Sequence, residues 1–132
     1  MKKLFACLLI AALAGCQQAE EVKKAEDAQD AGRQFIRASL DGDYKKARFF
    51  LLKDTTNLML FEKQQANYKQ LSEAQKSRYK DATIRPVSIT SQNDSTTLYK
   101  YYHTSNQADT TVLRVVRRNG EWLVDLKSVI KL

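Results

Sequence analysis

The spacing of apolar residues changes once along this chain, from a helical period before about residue 81 to an alternating one after it. Ala31, Phe35, Ile36 and Leu40 fall on one side of a helix and predict a first amphipathic element. Asp41-Gly42-Asp43 then breaks the pattern. The glycine can take a positive φ at the end of one helix, and Asp43 suits the N-cap of a second through Tyr44, Ala47 and Leu51. A third stretch sets Leu58, Phe61 and Gln65 on one face, with Met59 and Leu60 beside it. Ser72 with Gln75 has the form of a capping box, which predicts a short helix from Ser72 to about Lys80. The runs Phe49–Leu52 and Leu58–Phe61 hold more apolar surface than one helix face buries. Ordinary core accounts for most of it, and the excess is available to a pocket or a partner.

Four strands follow. Thr83–Ser91 is interrupted by Pro86, the chain's one proline, so it reads as an edge or bulged strand. Thr96–Thr104 and Thr110–Arg118 come next. Asn119-Gly120 is a two-residue hairpin signal, and Glu121–Val129 is the last strand. That turn sets Arg118 opposite Glu121, Val116 opposite Leu123, Arg114 opposite Asp125 and Val112 opposite Lys127. The other face pairs Arg117 with Trp122, Val115 with Val124 and Leu113 with Leu126. One face is then nearly all apolar and the other carries two cross-strand ion pairs, and a slip of one residue would misplace both. The register predicts Trp122 and Leu126 in the core and Arg114 and Asp125 exposed. Helices first and strands second make the fold class α+β.

The first sixteen residues have a different logic. Met1-Lys2-Lys3 is a short positive region, and Leu4–Ala14 is an uncharged apolar run. As a helix that run is only about 16 Å long against a hydrocarbon core of ~30 Å, so it has the length of a secretory signal and not of a span. Leu13-Ala14-Gly15-Cys16 resembles the lipobox of bacterial lipoproteins. The resemblance implies removal of residues 1–15 and acylation of Cys16, and several acyl chains on one residue make a lasting membrane anchor where one chain binds only marginally. Cys7 would be discarded and Cys16 consumed, leaving the mature chain neither thiol nor disulfide chemistry. Gln17 after the cysteine implies, by the same resemblance, a lipid-anchored place in the cell envelope at the outer membrane, on its periplasmic face or at the surface. Residues 16–30 then read as lipidated cysteine and acidic tether, and 31–132 as one α+β domain.

Composition narrows the function. With 132 residues there is room for one domain. Glycines at 15, 32, 42 and 120 are too scattered for a phosphate-cradling loop. Two Cys and one His are too few for a zinc site built from those ligands, and no metal or cofactor is expected. Residues 17–30 hold five acids and two lysines, whereas 31–132 hold 18 basic and 10 acidic side chains, so a basic head follows an acidic stalk. Clusters at Lys45-Lys46-Arg48, Lys76-Arg78-Lys80 and Arg114-Arg117-Arg118 suit an anionic envelope partner. Nucleic acid is not expected as a partner, because the export signal removes the chain from it.

Phe35-Ile36 on a helix, the corner Leu40-Asp41-Gly42-Asp43-Tyr44, and Ala47 after it resemble the opening of nuclear-transport-factor-2-like domains. Val112 to Asp125, with its tight glycine turn and Trp122, is similar to the terminal hairpin of that superfamily. The likeness is greatest to its small bacterial lipoproteins of unknown function. It implies a cone in which N-terminal helices cover a curved four-stranded antiparallel sheet and leave a pocket between them. Enzymes of the superfamily place a carboxylate, often with His or Tyr, in that pocket.

Tyr99, Tyr101 and His103 alternate on one face of the second strand and, with Trp122, are the candidate ligand-binding residues. A cross-strand aromatic ladder with a histidine near the strand end, by the loop Ser105-Asn106-Gln107, is the simpler account, since no carboxylate partner of His103 is assigned. Asp41, Asp43 and Asp54 sit where acids cap helices, although Asp43 with Tyr101 and His103 would also serve an isomerase or dehydratase. The reading favoured by the residues is a non-catalytic binding module anchored to the membrane by its N-terminal lipid. The alternatives are a structural subunit that forms a homodimer through its sheet, and then the enzyme.

Overall fold

A computed structural model describes residues 21–131, with the backbone alone at 128, 130 and 131. The expected signal peptide, Cys16 and the first part of the tether lie outside the described residues. Among the described residues, four helices precede a four-stranded antiparallel sheet of order β1-β2-β3-β4, which is curved and open.

Helix α1 (Ala28–Asp41) begins three residues before the expected boundary because Asp27 caps it, its carboxylate accepting from Asp30 N at 2.7 Å. Ala28 is buried, and Val22 and Ala25 also rest against the core. The domain therefore starts inside the segment read as tether. α1 ends as expected at Gly42, whose φ of 74° is left-handed and whose N–H reaches Ala38 O and Ser39 O. Gly32, in mid-helix, allows a close approach to the sheet: a Cβ there would lie 3.2 Å from Cδ2 of Tyr99.

Helix α2 (Tyr44–Phe49) is capped by Asp43 and is shorter than its apolar spacing suggests. Leu51 is not helical. It forms a parallel bridge to Val124, with Val124 N donating to Phe50 O at 2.7 Å and Leu52 N to Val124 O at 2.9 Å. An open edge of β4 leaves backbone groups unpaired, and this short segment satisfies them. Helix α3 (Thr55–Lys69) is capped by Asp54, and α4 (Glu73–Asp81) by the Ser72–Gln75 box, both halves of which form.

The strands are β1 (Ile84–Asn93), β2 (Thr96–His103), β3 (Asn106–Arg118) and β4 (Glu121–Lys131). β1 is an edge strand with a register shift between Pro86 and Ser88, as a proline without an N–H favours. The hairpin register holds for five pairs, from Arg118–Glu121 to Arg114–Asp125. Beyond that, Val112 pairs with Ile130 and not Lys127, so three extra residues of β4 bulge out and the Leu113–Leu126 pair is lost.

Burial at the hairpin differs from expectation. Asp125 is buried, 4 % exposed, and Arg114 half-buried with Nη1 at 3.8 Å from its carboxylate. The reason is a non-local partner: buried Asn57 on α3 donates Nδ2 to Asp125 Oδ1 at 3.2 Å and accepts from Leu126 N at 2.8 Å. Trp122 and Leu126 are half-buried against the core rather than within it. Glu121 pairs with Lys24 at 2.8 Å and not with Arg118 across the turn.

Candidate functional site

Curvature of the sheet and the path of α3 leave a cavity of about 440 Å³ between them. α1 supplies Phe35, Ile36 and Leu40, β3 Leu113, and β4 Leu126 and Val129. α3 contributes Leu60, Lys63, Gln64, Asn67 and Tyr68, which recur at helical spacing and so share one face. This volume falls within the range of small-molecule sites, which are mostly apolar with a few placed polar groups.

Aromatic packing shapes the walls. Tyr44 meets Phe61 and Tyr68 edge-on, with ring centroids 5.5 Å apart in each pair. Tyr68 lies directly over the α1–α2 corner: a Cβ on Gly42 would sit 2.6 Å from its hydroxyl oxygen, so both the left-handed φ and the space require glycine. Tyr79 from α4 stands edge-on to the His103 ring at 5.6 Å, and Ser105 Oγ is 2.5 Å from His103 Nδ1.

The phenols are firmly protonated. Burial, reinforced by the neighbouring Tyr68 and Tyr79, pushes Tyr44 up to about 12. Burial likewise pushes Tyr101 up to about 12 against the opposing effect of its hydrogen bond with Thr111. Neutral phenols offer a ligand donors as well as acceptors. The exposed rim carries Lys63, Asn67, Asn106 and Asp109, with Asn106 Nδ2 donating to the Asp109 carboxylate at 2.7 Å. The arrangement can enclose an apolar or aromatic body and hydrogen-bond its polar end.

The four candidate residues separate. Tyr101 and His103 line the cavity. Tyr99 is 1 % exposed and packs below Gly32, 5.9 Å from the Tyr101 ring, so it belongs to the core. Trp122 is absent from the cavity wall and sits beside Lys24, Phe49 and Glu121 near the hairpin turn. Asp43 is also absent from the wall, its carboxylate accepting from Lys46 N at 3.1 Å as a helix cap. Asp43 is therefore not placed with Tyr101 and His103 as the isomerase or dehydratase reading would have it. Asp41 pairs with Arg37 at 2.8 Å. Asp54 is held below the usual carboxylate range by its bond to Lys127 and by the Asn57 backbone N–H.

The acid that does line the cavity, Asp109, and the cation Lys63 carried no motif in the sequence. Leu60, Gln64 and Asn67 at helical spacing on α3, with Leu71 just past its C-cap, build this wall, a pattern that in sequence also reads as a half-solvated helix. Among the described residues no group of His, Cys, Asp and Glu could hold a metal ion, and no helix is long and apolar enough to cross a membrane. Comparison with family models, with curated proteins and with solved structures gave no match.

Proposed function

We propose that this chain is a lipid-anchored envelope protein of nuclear-transport-factor-2-like form, whose cavity binds a small amphiphilic molecule. The observation that carries the binding reading is the cavity itself, about 440 Å³ lined by aliphatic and aromatic side chains beneath a polar rim. The ligand this lining suits has an apolar or aromatic body seated against Phe35, Leu113 and Leu126 and a polar end facing Lys63 and Asn67. The lipobox-like Leu13-Ala14-Gly15-Cys16 supports the anchor. The order of elements and the open, curved sheet support the superfamily.

Native mass spectrometry of the mature chain, residues 16–132, after incubation with an envelope extract, tests the binding. A discrete added mass is expected, and Gln64→Trp, which fills the cavity from α3, is expected to abolish it. A bare chain, or an added mass that Gln64→Trp retains, overturns the reading.

A further inference from the structure

Away from the cavity, the tip of the β3–β4 hairpin gathers a second set of side chains. Phe49 is 37 % exposed at the end of α2, and Trp122 is half-buried beside it across a shallow recess that Lys24 and Glu121 close. Arg117 lies with its guanidinium carbon 5.8 Å from the centre of the Trp122 ring. Arg118 and Lys53 are exposed, and Lys53 is near enough for its charge to act on Glu121. Glu121 is the one carboxylate in this group and is already paired with Lys24. Two aromatic rings, with Arg117 on the Trp122 face of the hairpin, Arg118 on the Glu121 face, and Lys24 and Lys53 beside them, thus converge on the hairpin tip.

We propose that this surface is a membrane-docking face for a bilayer rich in anionic lipid. Tryptophan settles at the boundary between headgroup and acyl chain, where its ring is buried and its N–H stays wet, and phenylalanine beside it enters the acyl region. Cations around such a pair meet lipid phosphates, and guanidinium groups suit phosphate geometry well. The path of the chain gives the second argument. Lys24 and Ala25, where the N-terminal segment reaches the domain, are at this same recess, two and three residues after Val22. Cys16 is six residues before Val22, so the anchor lies within about 20 Å of that residue along the chain. An acylated residue already holds the chain at a bilayer, and a basic aromatic face beside it sets how the head lies on that surface. The tether argument rests on the anchor reading above; the patch does not.

Trp122 is the chain's single tryptophan, so its emission reports on this face alone. The mature chain carrying Cys16→Ser takes no lipid. That chain is mixed with vesicles of phosphatidylcholine, with or without phosphatidylglycerol, bearing brominated acyl chains. Trp122 emission is expected to shift to the blue and to be quenched only when phosphatidylglycerol is present. Arg118→Gln and Lys53→Gln are each expected to lower partitioning about fivefold, since a cation near an anionic surface contributes about that factor. Unchanged emission, equal binding to neutral vesicles, or partitioning that both variants retain overturns the proposal. The mass of the Cys16 peptide from cells is a separate measurement. Acylated Cys16 without docking sinks the patch alone, and docking with unmodified Cys16 sinks only the anchor.

Discussion

Asn57 shows how one side chain can decide what an entire strand buries. Its amide is fully enclosed, donates to Asp54 and Asp125, and accepts from the backbone of Leu126. The last of these gives a partner to a backbone N–H at the point where the β4 bulge interrupts the ladder. Truncating Asn57 leaves that N–H and a buried carboxylate without their amide partner. Asn57→Ala is expected to lower unfolding stability by about 3 kcal/mol in urea titration, the range for stranded buried polar groups. Asn57→Asp, nearly isosteric, sets a second carboxylate against Asp125 and should lose more.

At the scale of elements, α4 is the least embedded part of the fold, with no buried residue of its own. Arg37 on α1 fastens it. The guanidinium donates to Ala82 O at 2.6 Å, Lys80 O at 3.0 Å and Tyr79 O at 3.1 Å, the carbonyls at the end of α4, while Asp41 steadies it from behind. Removing this clamp should free α4 without unfolding the domain. Arg37→Ala is expected to speed amide exchange across residues 73–82 about thirtyfold, equivalent to about 2 kcal/mol of local stability, with the α1 core protected as before. Arg37→Lys should recover less than half of that, because an ammonium cannot span three carbonyls.

Elements written in local chemistry were legible. The Asp43 cap, the Ser72–Gln75 box, the Gly42 corner and the Asn119-Gly120 turn each act within a few residues, so their residue types announce them. What escaped was set by distant partners. Leu51 leaves its expected helix because β4 offers it a free edge, and Asp125 is buried because Asn57, 68 residues away in sequence, can satisfy it. The cavity wall on α3 was hidden for another reason. Lys63, Gln64 and Asn67 look in sequence like a solvated face, since a polar side chain at a cavity rim and one in water leave the same pattern.

For the molecule as a whole, the tyrosine cluster sets an alkaline limit. Unfolded phenols ionise near 10, whereas burial holds Tyr44 and Tyr101 at about 12 in the fold. Folded pKa values above the unfolded ones mean that this stabilisation is fully present below pH 10. It is lost progressively as pH rises from 10 to 12, where only the unfolded chain gives up these protons. Absorbance at 295 nm should show Tyr44 and Tyr101, two of the chain's six tyrosines, ionising last, together with the loss of helical circular dichroism. The same scale gives meaning to the direction of β3. Asn106 and Asp109 at its start belong to the cavity rim, and Arg117 and Arg118 at its end belong to the hairpin tip. Eight residues of strand from Asp109 to Arg117 separate the two by about 26 Å. Were the tip to dock on a bilayer as proposed, the rim would stand off toward water. A ligand of the proposed cavity would then exchange with the aqueous compartment and not be drawn sideways out of the lipid, so the protein would sample what diffuses past the membrane and not what dissolves in it.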